Sequence, residues 1–202
     1  MLFRSGLLEE VDRLSKIVDA LTLLTKADAG QIQLERQPVA LAELVQESFE
    51  DAQILAESHG VTVAMPECAE VQVTGDRDRL RQLLLNLVDN AVKYAGAAGQ
   101  TTLALRHVAG SAEIELSNTG PGVPPELLPR IFDRFVRGEE ARAKATDGCG
   151  LGLTIAHWIV HAHGGSIELT STPGKLTTVT VRLPAASRMT LISARWRRRR
   201  WS

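Results

Sequence analysis

Residues 76–94 read DRDRLRQLLLNLVDNAVKY. Its apolar side chains recur at steps of three and four, which predicts one long helix with a buried face. That face consists of Leu80, Leu83, Leu84, Leu87, Val88 and Ala91. Beside it, Asn86, Asn90 and Lys93 recur at the same steps, so three polar side chains project from one side of the helix. They can therefore meet one ligand.

The chemistry of these polar residues suits a nucleotide and its metal ion. An amide oxygen from Asn90, together with phosphate oxygens, suits Mg²⁺, which takes hard oxygen donors and keeps several waters. Lys93 can meet phosphate charge, and Tyr94, the only tyrosine, offers a flat face to an adenine ring. The alternative is a pair of asparagines on a solvated helix edge, although asparagine favours helix caps over helix interiors.

Two glycine clusters follow this helix in the sequence. Asn118-Thr119-Gly120-Pro121-Gly122 comes directly after a predicted strand and, by itself, indicates no more than a turn. The second cluster, Gly148-Cys149-Gly150-Leu151-Gly152-Leu153, opens a predicted helix over 151–163. Unpaired amides and the dipole at a helix N-terminus form an anion site, and glycines admit a phosphate chain without obstruction. The second cluster therefore predicts phosphate binding.

The rest of the pattern mixes strands and helices without strict alternation. Strands are predicted at 61–65, 71–74, 101–106, 113–117, 166–170 and 177–183. A further amphipathic helix is indicated by Leu41, Leu44, Val45 and Phe49. This order favours an α+β fold, a two-layer α/β sandwich of one sheet and one helical layer, over a doubly wound fold.

Residues 7–25 form another predicted helix, which ends near Gly30. It carries an apolar stripe made of Leu7, Val11, Leu14, Val18 and Leu21. A helix with one such stripe needs a partner, and a helical bundle is the simplest one. Packing against its own domain is the alternative, which periodicity alone leaves equally open.

Composition restricts the class of protein. The 202 residues contain no run of about 18 apolar side chains and no signal-peptide pattern, so we expect a cytoplasmic chain. Two cysteines fit a reducing cytosol. The net charge of -1 hides six arginines and no acid from Arg188 onward, which leaves residues 1–187 at -7. We interpret 187–202 as a disordered basic tail, so nucleic acid is not an expected partner.

Four motifs, taken in order, resemble the boxes of the ATPase domain of bacterial sensor histidine kinases, and the resemblance spans about residues 40–185. They are the asparagine box at 86–94, the first glycine box at 118–122, the phenylalanine box Arg130-Ile131-Phe132-Asp133-Arg134-Phe135, and the second glycine box at 148–153. The resemblance implies a Bergerat fold at 31–186 that holds ATP between the long helix and a lid at about 133–149. Residues 1–30 resemble the second helix of a dimerisation hairpin whose first helix is missing.

The resemblance also implies roles for individual residues. Asn90 would contact magnesium, Asn86 and Lys93 would lie beside the phosphates, and Tyr94 would lie beside the base. Asn118 stands where most relatives have an aspartate that accepts from the adenine amino group, and heavy-metal-type sensor kinases look similar in using asparagine there. The remaining implied nucleotide-binding residues are Gly120, Gly122, Gly148, Gly150, Leu151, Gly152, Leu153 and Thr177. Leu176 replaces the usual second glycine of the last box.

The implied function is an ATP-binding kinase module of two-component signal transduction. Such kinases phosphorylate a histidine in a histidine-glutamate/aspartate-leucine-arginine context, which surrounds none of the five histidines of this chain. Autophosphorylation within the chain is therefore not expected. The implied partners are a histidine-containing dimerisation domain, indirectly a response regulator, and a second copy through the N-terminal helix, in a full-length kinase anchored in the inner membrane.

Two alternatives remain at this stage. One is a non-catalytic fragment that dimerises or competes with an intact kinase. The other is an ATP-hydrolysing member of the same superfamily, which is disfavoured because Asn86 stands where such enzymes use a glutamate to activate water. Outside the nucleotide motifs, His163 ends a predicted helix, where a partly charged ring favours the helix dipole and a structural role is expected.

Overall fold

The computed structural model describes residues 2–138 and 149–186. Gly148, most of the predicted lid and the basic tail lie outside the described residues. The elements are α1 (Leu2–Asp28), β1 (Gln37–Ala40), α2 (Leu41–His59), β2 (Thr62–Cys68), β3 (Gln72–Gly75), α3 (Arg77–Tyr94), β4 (Gln100–Val108), β5 (Ser111–Thr119), a 3₁₀ helix (Leu128–Arg130), α4 (Gly152–Ala162), β6 (Ser166–Thr172) and β7 (Leu176–Pro184).

A five-stranded sheet forms one layer of the fold, in the order β2-β4-β5-β7-β6. Only the β2–β4 pair is parallel, and the other neighbours are antiparallel. Ala109 and Gly110 both have positive φ and join β4 to β5 in a two-residue loop, which is the conformation that matches strand twist. The mixed order explains why the sequence lacks strict strand and helix alternation.

Helices α2, α3 and α4 form the second layer and cover one face of this sheet, which confirms the predicted two-layer sandwich. The predicted apolar face of α3 is buried, and Leu80 and Leu83 are fully inaccessible. They pack in one core with inward side chains of the strands, such as Leu105, Ile114 and Val181. Each fully buried side chain of this size contributes about 1.5–3 kcal/mol to folding, so the period of α3 fixes its orientation on the sheet.

A second, two-stranded sheet was not anticipated from the sequence, which predicted one sheet only. In it β1 pairs antiparallel with β3, so that Val39 lies opposite Val73 and both are buried. The chain beyond β7 extends this sheet, because the Ala186 N–H donates to the Gln72 carbonyl oxygen at 2.7 Å. A short strand preceded by polar residues carries too little alternation to be recognised before its partner is known.

The N-terminus of α3 is joined to the end of α4 through a histidine. Asp76 caps α3, since its Oδ1 accepts from the amides of Asp78 and Arg79 at 3.1 Å. The buried ring of His163 accepts from the Asp76 N–H at Nε2 (3.0 Å) and donates from Nδ1 to the Ile159 carbonyl oxygen (2.7 Å). Burial lowers the pKa of His163. The ring is therefore neutral, and the expected partial charge at this helix end is wrong.

The burial of the apolar side chains of helix α1 changes along its length. Near its C-terminus Leu24 is only 2% exposed and belongs to the core. Further toward the N-terminus, Val11, Leu14 and Val18 are 52%, 53% and 60% exposed. Packing against its own domain therefore applies to the end of the helix, and the middle of the stripe is left uncovered. Within the described ranges, no helix combines the length and apolar character needed to cross a membrane.

Candidate functional site

A cavity of about 1360 Å³ lies between α3, the start of α4 and the ends of the central strands. It is lined by nearly all the residues predicted from the sequence, namely Asn86, Asn90, Lys93, Tyr94, Asn118, Gly122, Gly150, Leu151, Gly152, Leu153 and Thr177. Four motifs that are distant in sequence thus meet around one space. The structure does not place Gly120 in this wall, and Gly148 is outside the described residues.

The first turn of α4 lies directly against the asparagines of α3. A Cβ atom on Gly152 would be 3.4 Å from Asn90 Nδ2 and 3.9 Å from Asn86 Oδ1. No side chain therefore separates the N-terminal amides of α4 from the two asparagines. This juxtaposition brings the dipole of a helix N-terminus and two side-chain amides to one point, which is an arrangement suited to an anion.

The two asparagine side chains of α3 keep polar atoms that no hydrogen bond within the described residues uses. Asn90 Nδ2 donates to the Asn86 main-chain oxygen at 2.9 Å, so its Oδ1 remains an acceptor. Asn86 Nδ2 is buried and has no hydrogen-bond partner among the described residues. Because an unpaired buried amide costs free energy, a ligand that accepts from it would offset that cost.

The opposite end of the cavity is formed by facing residues of two strands. Asn118 on β5 lies in register with Thr177 on β7. Asn118 is buried, and its Nδ2 donates to the Thr119 carbonyl oxygen at 2.8 Å, which leaves Oδ1 as the acceptor. Thr177 Oγ1 lies 2.9 Å from Ser171 Oγ, which in turn accepts from the Val123 N–H at 2.9 Å. These bonds connect Val123, the residue after the first glycine box, to β6 and β7.

Tyr94 contributes a neutral aromatic ring to the wall. Burial raises the pKa of Tyr94, the nearby Arg137 lowers it and Asp89 raises it. The phenol is therefore uncharged at neutral pH. Lys93 Nζ lies 5.9 Å from the centroid of the Tyr94 ring, at the limit of a cation–π contact.

The phenylalanine box is held by two contacts with other parts of the described structure. Phe135, which has a φ of +63°, donates its N–H to the Gly150 carbonyl oxygen at 3.0 Å. Arg134 forms a 2.6 Å ion pair with Asp28 at the end of α1. The phenylalanine box thus touches both the second glycine box and α1.

Cationic side chains outnumber acidic ones in the described part of the cavity wall. The cations are Lys16, Lys26, Arg79, Lys93 and Arg137, and the acids are Asp19, Asp89 and Glu126. This excess lies in a chain whose first 187 residues are acidic overall. The electrostatics therefore favour an anionic ligand.

Several of these wall residues were missed by the sequence analysis. Arg79 and Gln82 lie seven and four residues before Asn86, so helical spacing was a signal that could have found them. No such spacing connects Lys16 and Lys26 of α1 to the motifs, since their place in the wall depends on how α1 docks.

Gly120 is needed for the path of the backbone and does not line the cavity. Its φ is +146°, and a Cβ atom there would lie 2.1 Å from the Tyr94 carbonyl oxygen. Glycine is therefore required where the loop passes the end of α3.

The site can now be compared with known proteins. Residues 75–187, more than half of the chain, match the family described as histidine kinase-, DNA gyrase B-, and HSP90-like ATPase. The chain belongs to this ATPase family. Membership confirms the resemblance on which the sequence analysis relied, and it supports ATP as the anionic ligand.

Relatives within the ATPase family include sensor kinases. The chain is 34% identical over 180 residues to the probable sensor histidine kinase TcrY of Mycobacterium tuberculosis, covering 89% of this chain and 37% of TcrY. It is 36% identical over 161 residues to the probable sensor protein PcoS of Escherichia coli, covering 80% of this chain and 34% of PcoS. The chain thus spans about a third of the length of these curated relatives.

A solved structure shares the fold. Full-length ShkA in complex with AMPPNP superposes with a TM-score of 0.78 at 30% identity, over 91% of this chain and 38% of ShkA. The AMPPNP in that structure is an ATP analogue, in agreement with the family and with the charge of the cavity.

Proposed function

We propose that this chain is the ATP-binding catalytic module of a two-component sensor histidine kinase, and that it donates the γ-phosphoryl group of ATP to a histidine that is not one of its own five. The single observation that carries the proposal is the convergence of Asn86 and Asn90 on Gly152, in one cavity with Asn118 at its far end. Phosphoryl transfer requires chiefly positioning and charge neutralisation, which this wall can supply.

Each wall residue then has a role. Asn86, Lys93 and the amides from Gly150 to Leu153 bind the phosphates, while Tyr94, Asn118, Gly122 and Thr177 surround the base. We assign Gly148 to the phosphates as well, on its motif alone, and Gly120 to the shape of the loop.

Magnesium fits the donor chemistry of the site. The Oδ1 atom of Asn90 is a hard oxygen donor that the Asn90–Asn86 hydrogen bond leaves open. We propose that Asn90 holds Mg²⁺ together with phosphate oxygens and water. When bound, the ion neutralises phosphate charge.

The exposed stripe of α1 supports a helical partner. Val11, Leu14 and Val18 are more than half exposed on a helix whose end is anchored in the core. We propose that residues 1–30 belong to a dimerisation hairpin shared with a second copy, that 31–186 form the catalytic domain, and that 187–202 are a tail. A response regulator would receive the phosphoryl group from the dimerisation domain.

The same stripe also favours a second candidate, a non-catalytic module that competes for dimerisation. Nucleotide binding does not separate it from a kinase, but phosphate transfer does. We expect radiolabel from γ-labelled ATP to appear on a purified sensor-kinase dimerisation hairpin when the chain is added. A hairpin with its histidine replaced is the control, and an unlabelled native hairpin would favour the competing module. Hydrolysis is the weakest candidate, because Asn86 carries an amide where a water-activating carboxylate is needed.

Replacement of the proposed magnesium residue tests nucleotide binding itself. We predict that Asn90→Ala abolishes magnesium-dependent ATP binding in calorimetry, because it removes the oxygen donor, while the far-UV circular dichroism stays unchanged. Gln53→Ala, which removes an exposed amide from α2, is the matched control and should bind like the wild type. Wild-type affinity in Asn90→Ala would reject the assignment.

A further inference from the structure

Three arginines in the first turns of α3 lie in different electrostatic surroundings. Arg77 pairs with Glu47 at 2.6 Å, and Arg81 lies within 3.8 Å of Glu47 and 3.6 Å of Asp51. Arg79 has no carboxylate within 4.0 Å in the described part of the chain. Acids of α2 thus compensate two of the three charges and leave the third.

A neutral side chain holds Arg79 in place instead. Its Nη1 donates to Gln82 Oε1 at 2.9 Å, and both residues line the cavity. A partly buried guanidinium cation without an acidic partner is costly. An anion bound in the cavity would offset that cost, and the amide of Gln82 orients the guanidinium without neutralising it.

The position of Arg79 on α3 indicates which part of a nucleotide it meets. Tyr94, Asn90, Asn86 and Arg79 follow one another toward the N-terminus of the helix, and Arg79 precedes Asn86 by about 10 Å along the axis. The proposed function places the base at Tyr94 and the metal ion at Asn90. A triphosphate that runs toward the helix N-terminus therefore brings its last phosphate, rather than the first two, within reach of a long arginine side chain.

We infer that Arg79, oriented by Gln82, contacts the terminal phosphoryl group and makes the site select ATP over ADP. The inference rests on the proposed function and adds a specificity-determining residue to it. A guanidinium suits this task because it donates two parallel charge-assisted hydrogen bonds to phosphate oxygens. Lys16 and Asp19 of α1 line the same cavity.

Paired titrations with Mg-ATP and Mg-ADP test the inference. We expect Arg79→Ala to weaken ATP binding about tenfold or more, as for the loss of a charge-assisted bond, with ADP affinity within about twofold of wild type. The ATP affinity of Arg79→Lys should lie between those of the wild type and Arg79→Ala. Gln82→Glu keeps the arginine but pairs its charge, so it should also reduce the ATP-to-ADP affinity ratio. Arg81→Ala removes the same charge two residues away and should leave both affinities unchanged.

The outcomes separate this inference from the function on which it rests. Binding of both nucleotides by Arg79→Ala or Gln82→Glu with the wild-type ATP-to-ADP ratio would overturn the inference and leave the nucleotide site standing. A wild-type chain that binds neither nucleotide would overturn the proposed function and the inference together.

Discussion

Gly120 and Gly152 belong to the two glycine boxes of one nucleotide motif, yet their surroundings differ. A Cβ atom on Gly120 would lie 2.1 Å from the backbone oxygen of Tyr94, and its φ of +146° disfavours any other residue. Gly152 starts an ordinary helix, and a Cβ atom there would make ordinary contact with the side chains of Asn90 at 3.4 Å and Asn86 at 3.9 Å. One glycine is needed for the fold and the other for access to the cavity, so motif membership alone does not reveal what a glycine does.

The largest effect is expected at Gly120. Gly120→Ala should lower the free energy of unfolding by about 3 kcal/mol or more, because both the clash and the backbone strain must be relieved by moving the loop. Urea denaturation measures this loss. Gly174→Ala is the matched control, since Gly174 also has positive φ but open space around it, and it should lose only about 1 kcal/mol. If Gly120→Ala and Gly174→Ala lost the same free energy of unfolding, the close contact of Gly120 with the Tyr94 carbonyl would have no effect on stability.

A substitution at Gly152 should have the opposite effect, because it should keep the fold but weaken ATP binding. We predict that Gly152→Val retains a cooperative unfolding transition and loses about a hundredfold in ATP affinity, since its branches crowd the helix N-terminus where phosphates bind. Gly152→Ala should lose less, because a single methyl group makes ordinary contact. Calorimetry measures the ATP affinity of the wild type and the two variants. Wild-type affinity in Gly152→Val would show that the phosphates bind elsewhere.

The same contrast shows how far the sequence predicts this protein. The period of α3 places Leu80 and Leu83 in the core and Asn86 and Asn90 on the cavity side, because helical geometry is local. The second glycine box was expected to open a helix beside these asparagines, and it does. The helices themselves follow from short-range rules, whereas the position of the second glycine box beside the asparagines is what the resemblance to the histidine-kinase ATPase domain implies.

Features that depend on docking could not be predicted. The cavity wall contributed by α1, including Lys16 and Lys26, depends on the path of the connection between α1 and β1. The role of Gly120 depends on how closely a loop passes the Tyr94 carbonyl, a distance that the sequence does not encode locally. The neutral state of His163 depends on a donor, the Asp76 N–H, that lies 87 residues away.

Gly75 differs from both, because a Cβ atom there would clash with a side chain. A Cβ atom on Gly75 would lie 2.6 Å from Cδ2 of His163, so this glycine admits the ring that joins α3 to α4. A flexible neighbour could move aside, but the His163 ring is held by bonds to the Asp76 N–H and the Ile159 carbonyl oxygen. Because the neighbour of Gly75 is the titratable His163 ring, the free energy of unfolding should depend on pH as well as on steric fit.

The smallest expected effect is this pH dependence. Burial lowers the pKa of His163, with a smaller lowering contribution from Arg36, while the bond to Ile159 and the charge of Asp76 raise it. The unfolded chain therefore takes up a proton below about pH 6.5, whereas the folded chain does so only at lower pH. Stability should be complete above pH 6.5 and fall as the pH drops toward the folded-state pKa.

Urea unfolding of wild type and His163→Gln at pH 7.5 and 5.5 tests this dependence. The variant should be less stable at pH 7.5 but lose less on acidification, because it has no ring to protonate. His157→Gln is the control, because His157 lies on the same helix and its pKa is also lowered, by burial and by His161. Since that ring is less buried, the variant should remove a smaller part of the free energy of unfolding that is lost on acidification. If wild type and His163→Gln lose the same free energy between the two pH values, then His163 connects the two helices by shape alone, and Gly75 would belong with Gly120 as a purely steric requirement.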